Sequence, residues 1–473
     1  MKLTISLVVF GIICLTAKGA SSNIFEKTFR TLHQEPPPPL SKSRASATIK
    51  WIDQKLDNFD SKETRTWRMR YMSNDEFFVP GGPIFIFVGG EWAISSGYLT
   101  GGHMYDMAKE HNGAMFYTEH RYYGQSKPTD NLSVENLKYL DVKQALADLA
   151  NFITTTKQTV EGMENSKVIL TGGSYSATMV TWFKRLYPNL IVGSWSSSAP
   201  LFAKVDFVEY KEVTGRSIKL LGGDACYNRI KNGIAELENM IVSKRSAEVK
   251  AMLKICNNFD ETKELDVWTL FSEISDIFAG VVQTHSKNDI QNTCKSIMEG
   301  EDDVTGVAKF ILRNFGNSGC SDVSYKALLT SLSESTYTSG MMRQWYYQTC
   351  NEYGWYQTSG SSAQPFGSKF PEDLYIATCN DVYGTQFTNE TIYKNVDNTN
   401  KYFGGLNPNV ENVYITHGQL DPWSAMGITD SDKATVIPLY AHCKDFGSIS
   451  SSDTSEMQAS KLKIAQLVRE WLA

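Results

Sequence analysis

Four short apolar runs stand out in the first half of the chain, at 83–88 (PIFIFV), 114–117, 167–171 and 191–195, each bounded by glycine or polar residues. Unbroken runs of this length suit strands buried on both faces. Between the second and third runs, Val142, Leu146, Leu149 and Ile153 recur at helical spacing. Alternating strands and helices predict a mainly parallel sheet with helices on both faces. From about Phe207 to Tyr347 the period becomes almost entirely helical, as in Ile230, Ile234, Leu237 and Ile241, then Leu270, Phe271, Ile274, Phe278 and Val281. Strand signals return at 413–416 (VYIT) and 435–439, and 455–472 has the spacing of a closing helix. The pattern predicts an α/β sheet with a helical block inserted into it.

The 473 residues, 41% hydrophobic and 12% aromatic, are enough for one large domain plus an insertion. Net charge is −6, with acids and bases interspersed, which argues against nucleic acid or an anionic membrane surface as a partner. The N-terminus reads as a secretory signal over 1–19: a lysine, an apolar run from Leu3 to about Leu15, then Ala17 and Gly19. That run is shorter than the ~20 residues of a membrane span. A secretory route fits the sequons at Asn131 and Asn389. Removing Cys14 with the signal leaves seven cysteines, so at least one thiol is free or pairs outside the chain. Metal-ligand spacing is absent, and neither a metal nor another cofactor is expected. Residues 20–48 include four consecutive prolines (EPPPPLSKSRAS) and read as a linker or propeptide.

Chemistry enters at 172–176 (GGSYS), where a strand passes into a helix marked by Met179, Trp182, Phe183 and Leu186. Ser174 on that corner is either a helix N-cap or a nucleophile held out on a strained turn. A nucleophilic serine needs a base and an orienting acid. Asp421 follows one predicted strand and His442 the next, which gives the order Ser, Asp, His of an α/β-hydrolase. His417 is the rival base but precedes the aspartate.

Seven fragments, QKLDNF at Gln54, FVGGE ending at Glu91, EHRYYGQS at Glu119, GGSY at Gly172, YQTCNEYG at Tyr347, LDPW at Leu420 and AHC at Ala441, give the chain its resemblance. It resembles the serine peptidase family of lysosomal Pro-Xaa carboxypeptidase, dipeptidyl peptidase II and thymus-specific serine protease. FVGGE, AHC and NKYFGG at Asn400 are most similar to the thymus-specific branch. Two positions depart from the family pattern: Ser176 stands for the usual glycine, and His417 for a frequent asparagine.

The resemblance implies an α/β-hydrolase fold with a large helical, disulfide-linked cap. The hydrolase domain is then expected over 49–204 and 380–473, and the cap over 205–379. Ser174 is implied as nucleophile, His442 as base and Asp421 as its orienting acid, with an oxyanion hole from the N–H groups of Tyr175 and Gly90. Trp423, Phe446 and Thr178 are expected in the substrate pocket, and Glu91 or Glu119 as the group holding a substrate ammonium. Cys226–Cys294, Cys256–Cys320 and Cys350–Cys379 are the implied disulfides, leaving Cys443 free. The implied activity is that of a secreted or lysosomal serine exopeptidase acting beside proline or small residues, with carboxypeptidase and dipeptidyl peptidase modes both open. An esterase or lipase, or a silent binding homologue, is the alternative. The expected partner is a peptide substrate, with homodimer formation left open and no membrane anchor.

Overall fold

The computed structural model describes residues 23–43, 46–316, 319–337, 340–430 and 432–473, so the expected signal peptide with Cys14 lies outside the described residues. The strands are β1 Thr48–Lys55, β2 Thr66–Asn74, β3 Ile84–Val88, β4 Ala114–Thr118, β5 Val168–Gly173, β6 Gly193–Ser197, β7 Lys204–Asp206, β8 Gly354–Tyr356, β9 Val413–Gly418 and β10 Ala434–Ile437. The helices before the insertion are α1 Ile24–Leu32, α2 His103–Glu110, α3 Val134–Leu137, α4 Val142–Thr159 and α5 Tyr175–Leu186. Then follow α6 Val208–Val242, α7 Ser246–Leu253, α8 Glu264–Gln283, α9 Asp289–Met298, α10 Asp303–Phe315, α11 Tyr325–Ser333, α12 Met342–Gln348 and α13 Glu372–Tyr383. The last two are α14 Asn389–Phe403 and α15 Ser455–Leu472.

Eight strands form one sheet in the order β1-β2-β4-β3-β5-β6-β9-β10. Pairing is antiparallel from β1 through β2 to β4 and parallel from β4 onward. This is the α/β-hydrolase arrangement. Every residue of β3 is buried, and successive side chains point to opposite faces. Phe85 and Phe87 therefore pack with Met104 of α2 and with Ile464 and Val468 of α15. Ile84, Ile86 and Val88 join the core of α4 and α5 instead. Fully covered strands lose the alternating pattern of half-exposed ones, which is why this run reads as continuously apolar.

The helical insertion leaves the sheet through β7 and returns through β8, and these two strands pair in parallel, Lys204 with Gly354 and Asp206 with Tyr356. Its longest element, α6, is broken at Gly223, whose φ of 84° few other residues adopt. Two disulfides lie within the insertion, Cys226–Cys294 and Cys256–Cys320, and a third, Cys350–Cys379, joins its last residues to α13. On loop-closure entropy, bridges spanning 68 and 64 residues stabilise the fold by about 4 kcal/mol each. Cys443 is buried and unbridged.

Candidate active site

At the end of β5 the chain turns into α5 through Ser174, which has φ 56° and ψ −129°. A left-handed φ on a residue with a side chain costs about 1–3 kcal/mol, so neighbouring groups must hold it. Ser174 N–H donates to the Ser197 carbonyl at 2.9 Å. Gly172 leaves the turn closed, since a Cβ there would come within 2.4 Å of the Ser176 carbonyl oxygen. The Ser176 hydroxyl accepts from Gly173 N–H and donates to Gly173 C=O, both at 2.9 Å. Ser176 thus braces the corner. The Ser174 hydroxyl makes no capping bond to α5, so the N-cap alternative does not describe it.

Asp421 follows β9, has no exposed surface, and opens the short turn Pro422–Met426. Its Oδ1 accepts from Trp423 N–H at 3.0 Å and lies 2.8 Å from His442 Nδ1. That contact places the proton on Nδ1 and leaves Nε2 as the basic nitrogen. Burial alone would depress the His442 pKa, but the Asp421 carboxylate, with Cys443, outweighs it and holds the imidazole well above its ordinary value. Burial works in the opposite sense on Asp421, yet the charge and hydrogen bond of His442 keep its carboxyl below the usual range.

Loop stitching fixes the histidine. Cys443 has φ 55° and donates its N–H to Ser198 Oγ at 3.0 Å. Asp445, two residues on, accepts from the Ser197 hydroxyl at the end of β6 and the Thr416 hydroxyl within β9, each at 2.5 Å. The His442 N–H reaches the Gln283 carbonyl of α8 at 3.3 Å, which connects the loop to the cap.

Ser174 and His442 line one cavity of about 360 Å³ together with Glu91, Gln283 and Lys444. Beside it lies an aromatic chamber walled by Trp345, Trp355, Tyr375 and Trp423. Glu273 is buried at its base, where desolvation and the nearby Asp276 raise its pKa to about 8. Trp423 joins the two spaces, since its Nε1–H donates to Gln283 Oε1 at 2.9 Å and Gln283 lines the cavity.

The other expected positions divide. Phe446 is not a wall of either space: it packs behind Gly173 against Phe87, Tyr98 and Trp195 in the core. Thr178 is not a pocket floor, because its face of α5 turns inward and its hydroxyl donates to the Pro200 carbonyl. Glu119 is fully buried and bound to Arg70, which makes it structural. Glu91 does line the cavity, 3.4 Å from His33 Nδ1. Tyr175 supplies the first amide of α5, which helix geometry leaves without an intrahelical acceptor. Asn131 and Asn389 are exposed. His417 is buried against Gly427, makes no hydrogen bond to Asp421, and burial lowers its pKa to about 4. Sequence reading missed Gln283, an amide within an otherwise ordinary helical period, and Asp445, whose only signal is an acid shortly after the histidine.

Residues 54–464 match the serine carboxypeptidase S28 family. The thymus-specific serine protease of Mus musculus is 29% identical over 451 residues, covering 89% of this chain and 87% of that protein. Its Homo sapiens counterpart is 28% identical over 448 residues, covering 90% and 86%. The lysosomal Pro-X carboxypeptidase of Bos taurus is 27% identical over 455 residues, covering 90% and 88%.

Proposed function

This chain belongs to the serine carboxypeptidase S28 family and is a serine-type peptidase, and from that premise we propose that it is an exopeptidase cutting peptides beside proline or small residues with Ser174, His442 and Asp421. The observation that carries the reading is the meeting of a strained Ser174 and an Asp421-bound His442 in one cavity.

Ser174 Oγ attacks the scissile carbonyl carbon as His442 Nε2 takes its proton. The charge on the carbonyl oxygen falls to the N–H groups of Tyr175 and Gly90. Collapse breaks the C–N bond, His442 returns the proton to the leaving amine, and an acyl-enzyme on Ser174 remains. Water, deprotonated by the same imidazole, then releases the acid and restores the serine. Asp421 holds the Nδ1–H tautomer and stabilises the imidazolium at each stage.

A fluorophosphonate should form one adduct per chain, mapped to Ser174. A panel of proline-containing peptides with blocked or free ends, run against short acyl esters, tests the rest. Cleavage from one end of the free peptides, with esters cut no faster, is the expected result. Preferential ester hydrolysis would replace the reading by an esterase, and a chain that takes no phosphonate would be a binding homologue.

The secretory reading has its own check. Asn131 and Asn389 are both exposed and free to carry glycan. Intact-mass measurement of protein made in a secreting eukaryotic cell should show a loss on deglycosylation, removed by Asn131→Gln with Asn389→Gln. An unchanged mass would refute modification at these sites.

A further inference from the structure

A proline-rich linker ordinarily runs through solvent as a stiff spacer, but residues 25–37 run through the catalytic cleft. Helix α1 sets Phe25 and Phe29 into the aromatic chamber beside Trp345 and Trp423, and both rings are buried. The His33 ring stacks on Phe29 with centroids 4.5 Å apart, and its Nδ1 faces Glu91. Gln283 Nε2 donates to the Leu32 carbonyl at 2.6 Å. Glu35 Oε1 accepts from Ser95 N–H at 3.1 Å and from the Tyr117 hydroxyl at 2.9 Å. The Pro36 carbonyl accepts from the Tyr98 hydroxyl at 2.8 Å, and its ring lies over Gly173, where an added Cβ would be 3.2 Å from it. Pro36 and Pro37 form a wall of the cavity that holds Ser174. Leu40 is exposed, so the chain leaves the cleft there.

These contacts use what an incoming peptide would need. The extended segment lays main-chain carbonyls along the groove next to the nucleophile. His33 covers Glu91, the carboxylate placed to hold a substrate ammonium, whose second oxygen is buried without a hydrogen-bond partner. Phe25 and Phe29 line the chamber and narrow the space that a substrate side chain would enter.

We propose that residues 23–43 are a tethered ligand of the active-site cleft that keeps the peptidase latent until it is released, a statement that rests on the peptidase reading above. Tethering makes modest contacts sufficient. A short tether holds its ligand at an effective concentration on the order of millimolar, whereas a severed strap at nanomolar protein is about a millionfold more dilute. Cutting behind the strap therefore releases even a ligand of micromolar affinity. The cavity left beside Ser174 still admits a small phosphonate, so labelling is expected in both forms and peptide hydrolysis mainly in the released one.

A recognition sequence for a site-specific protease, inserted between Ser46 and Ala47 of the full chain, gives the test. After cutting at nanomolar enzyme, kcat/KM for a proline-containing peptide should rise at least about tenfold, and a synthetic peptide of residues 23–43 should reverse the gain competitively. Phosphonate labelling should be complete before and after. Glu35→Ala in the uncut chain removes the bonds to Ser95 and Tyr117 without touching the catalytic residues, and should move its rate toward that of the cut form. Equal peptide rates before and after cutting, with the strap gone on gel filtration, would overturn latency and leave the peptidase standing. If the cut chain unfolds, a Glu35→Ala variant no faster than the parent overturns it instead. A chain inert to phosphonate in both forms sinks the peptidase reading and latency together.

Discussion

Asp421→Asn is expected to lower turnover about ten-thousand-fold in a protein that stays folded. The carboxylate is fully buried, and its Oδ1 serves both His442 Nδ1 and Trp423 N–H. An asparagine keeps the shape but not the charge that stabilises the imidazolium formed when Ser174 gives up its proton. Should its NH₂ turn toward His442, the ring is fixed in the tautomer that cannot accept that proton. The pH profile carries a second signature. Asp421 holds the His442 pKa above its ordinary value, and the base works only when neutral. In the parent, kcat/KM should rise with pH through an ionisation above that of a free imidazole, and in Asp421→Asn the rise should move to lower pH. Stability follows the same pair in the opposite direction, since a raised histidine pKa contributes fully below the unfolded value and is lost as pH rises through the folded one. Steady-state kinetics across pH, with circular dichroism at each point, read both.

His442→Ala should be weaker still, by a factor on the order of a million, because nucleophile and base act as a unit and losing either disables both. His417→Asn should keep activity within about tenfold of the parent. The two rings lie at neighbouring strand ends, but only one is bound to the aspartate. His417 is sealed against Gly427, with a pKa of about 4 that keeps it uncharged at working pH. Rates per folded chain, with folding read by circular dichroism, separate a lost base from a lost fold. An active His442→Ala beside a dead His417→Asn, both folded, would transfer the base to His417.

What could be read in the residues follows from what each element packs against. The central strands were legible because burial on both faces leaves an apolar run such as IFIFV. Strands β1 and β2 were not: β1 is an exposed edge on which only Gln54 is buried, and β2 carries Arg70, whose charge is hidden by Glu119 rather than by water. Helix α1 is not legible because the four prolines after it read as a spacer, and because its burial is set by a cleft assembled from distant elements. The candidate triad was legible as three polar residues at three strand ends in hydrolase order. Phe446 and Thr178 lie away from the expected pocket because nearness in sequence to the serine or histidine does not tell which side of the sheet or helix a side chain takes.

The crossed order of two cap disulfides bears on how the protein is made. Cys226 joins Cys294, and Cys256, which lies between them, joins Cys320. A ribosome delivers Cys256 tens of residues before Cys294, which at ~5–20 residues per second leaves a window of seconds. During that window Cys226 and Cys256 are each other's nearest oxidisable neighbours. The first bridge to close during translation is therefore the wrong one unless thiol exchange undoes it, and exchange left to itself takes minutes to hours. Yield should then depend on the host's disulfide isomerase capacity more than on its oxidising strength, and a bacterial periplasm short of isomerase should accumulate a mispaired cap on an otherwise complete sheet.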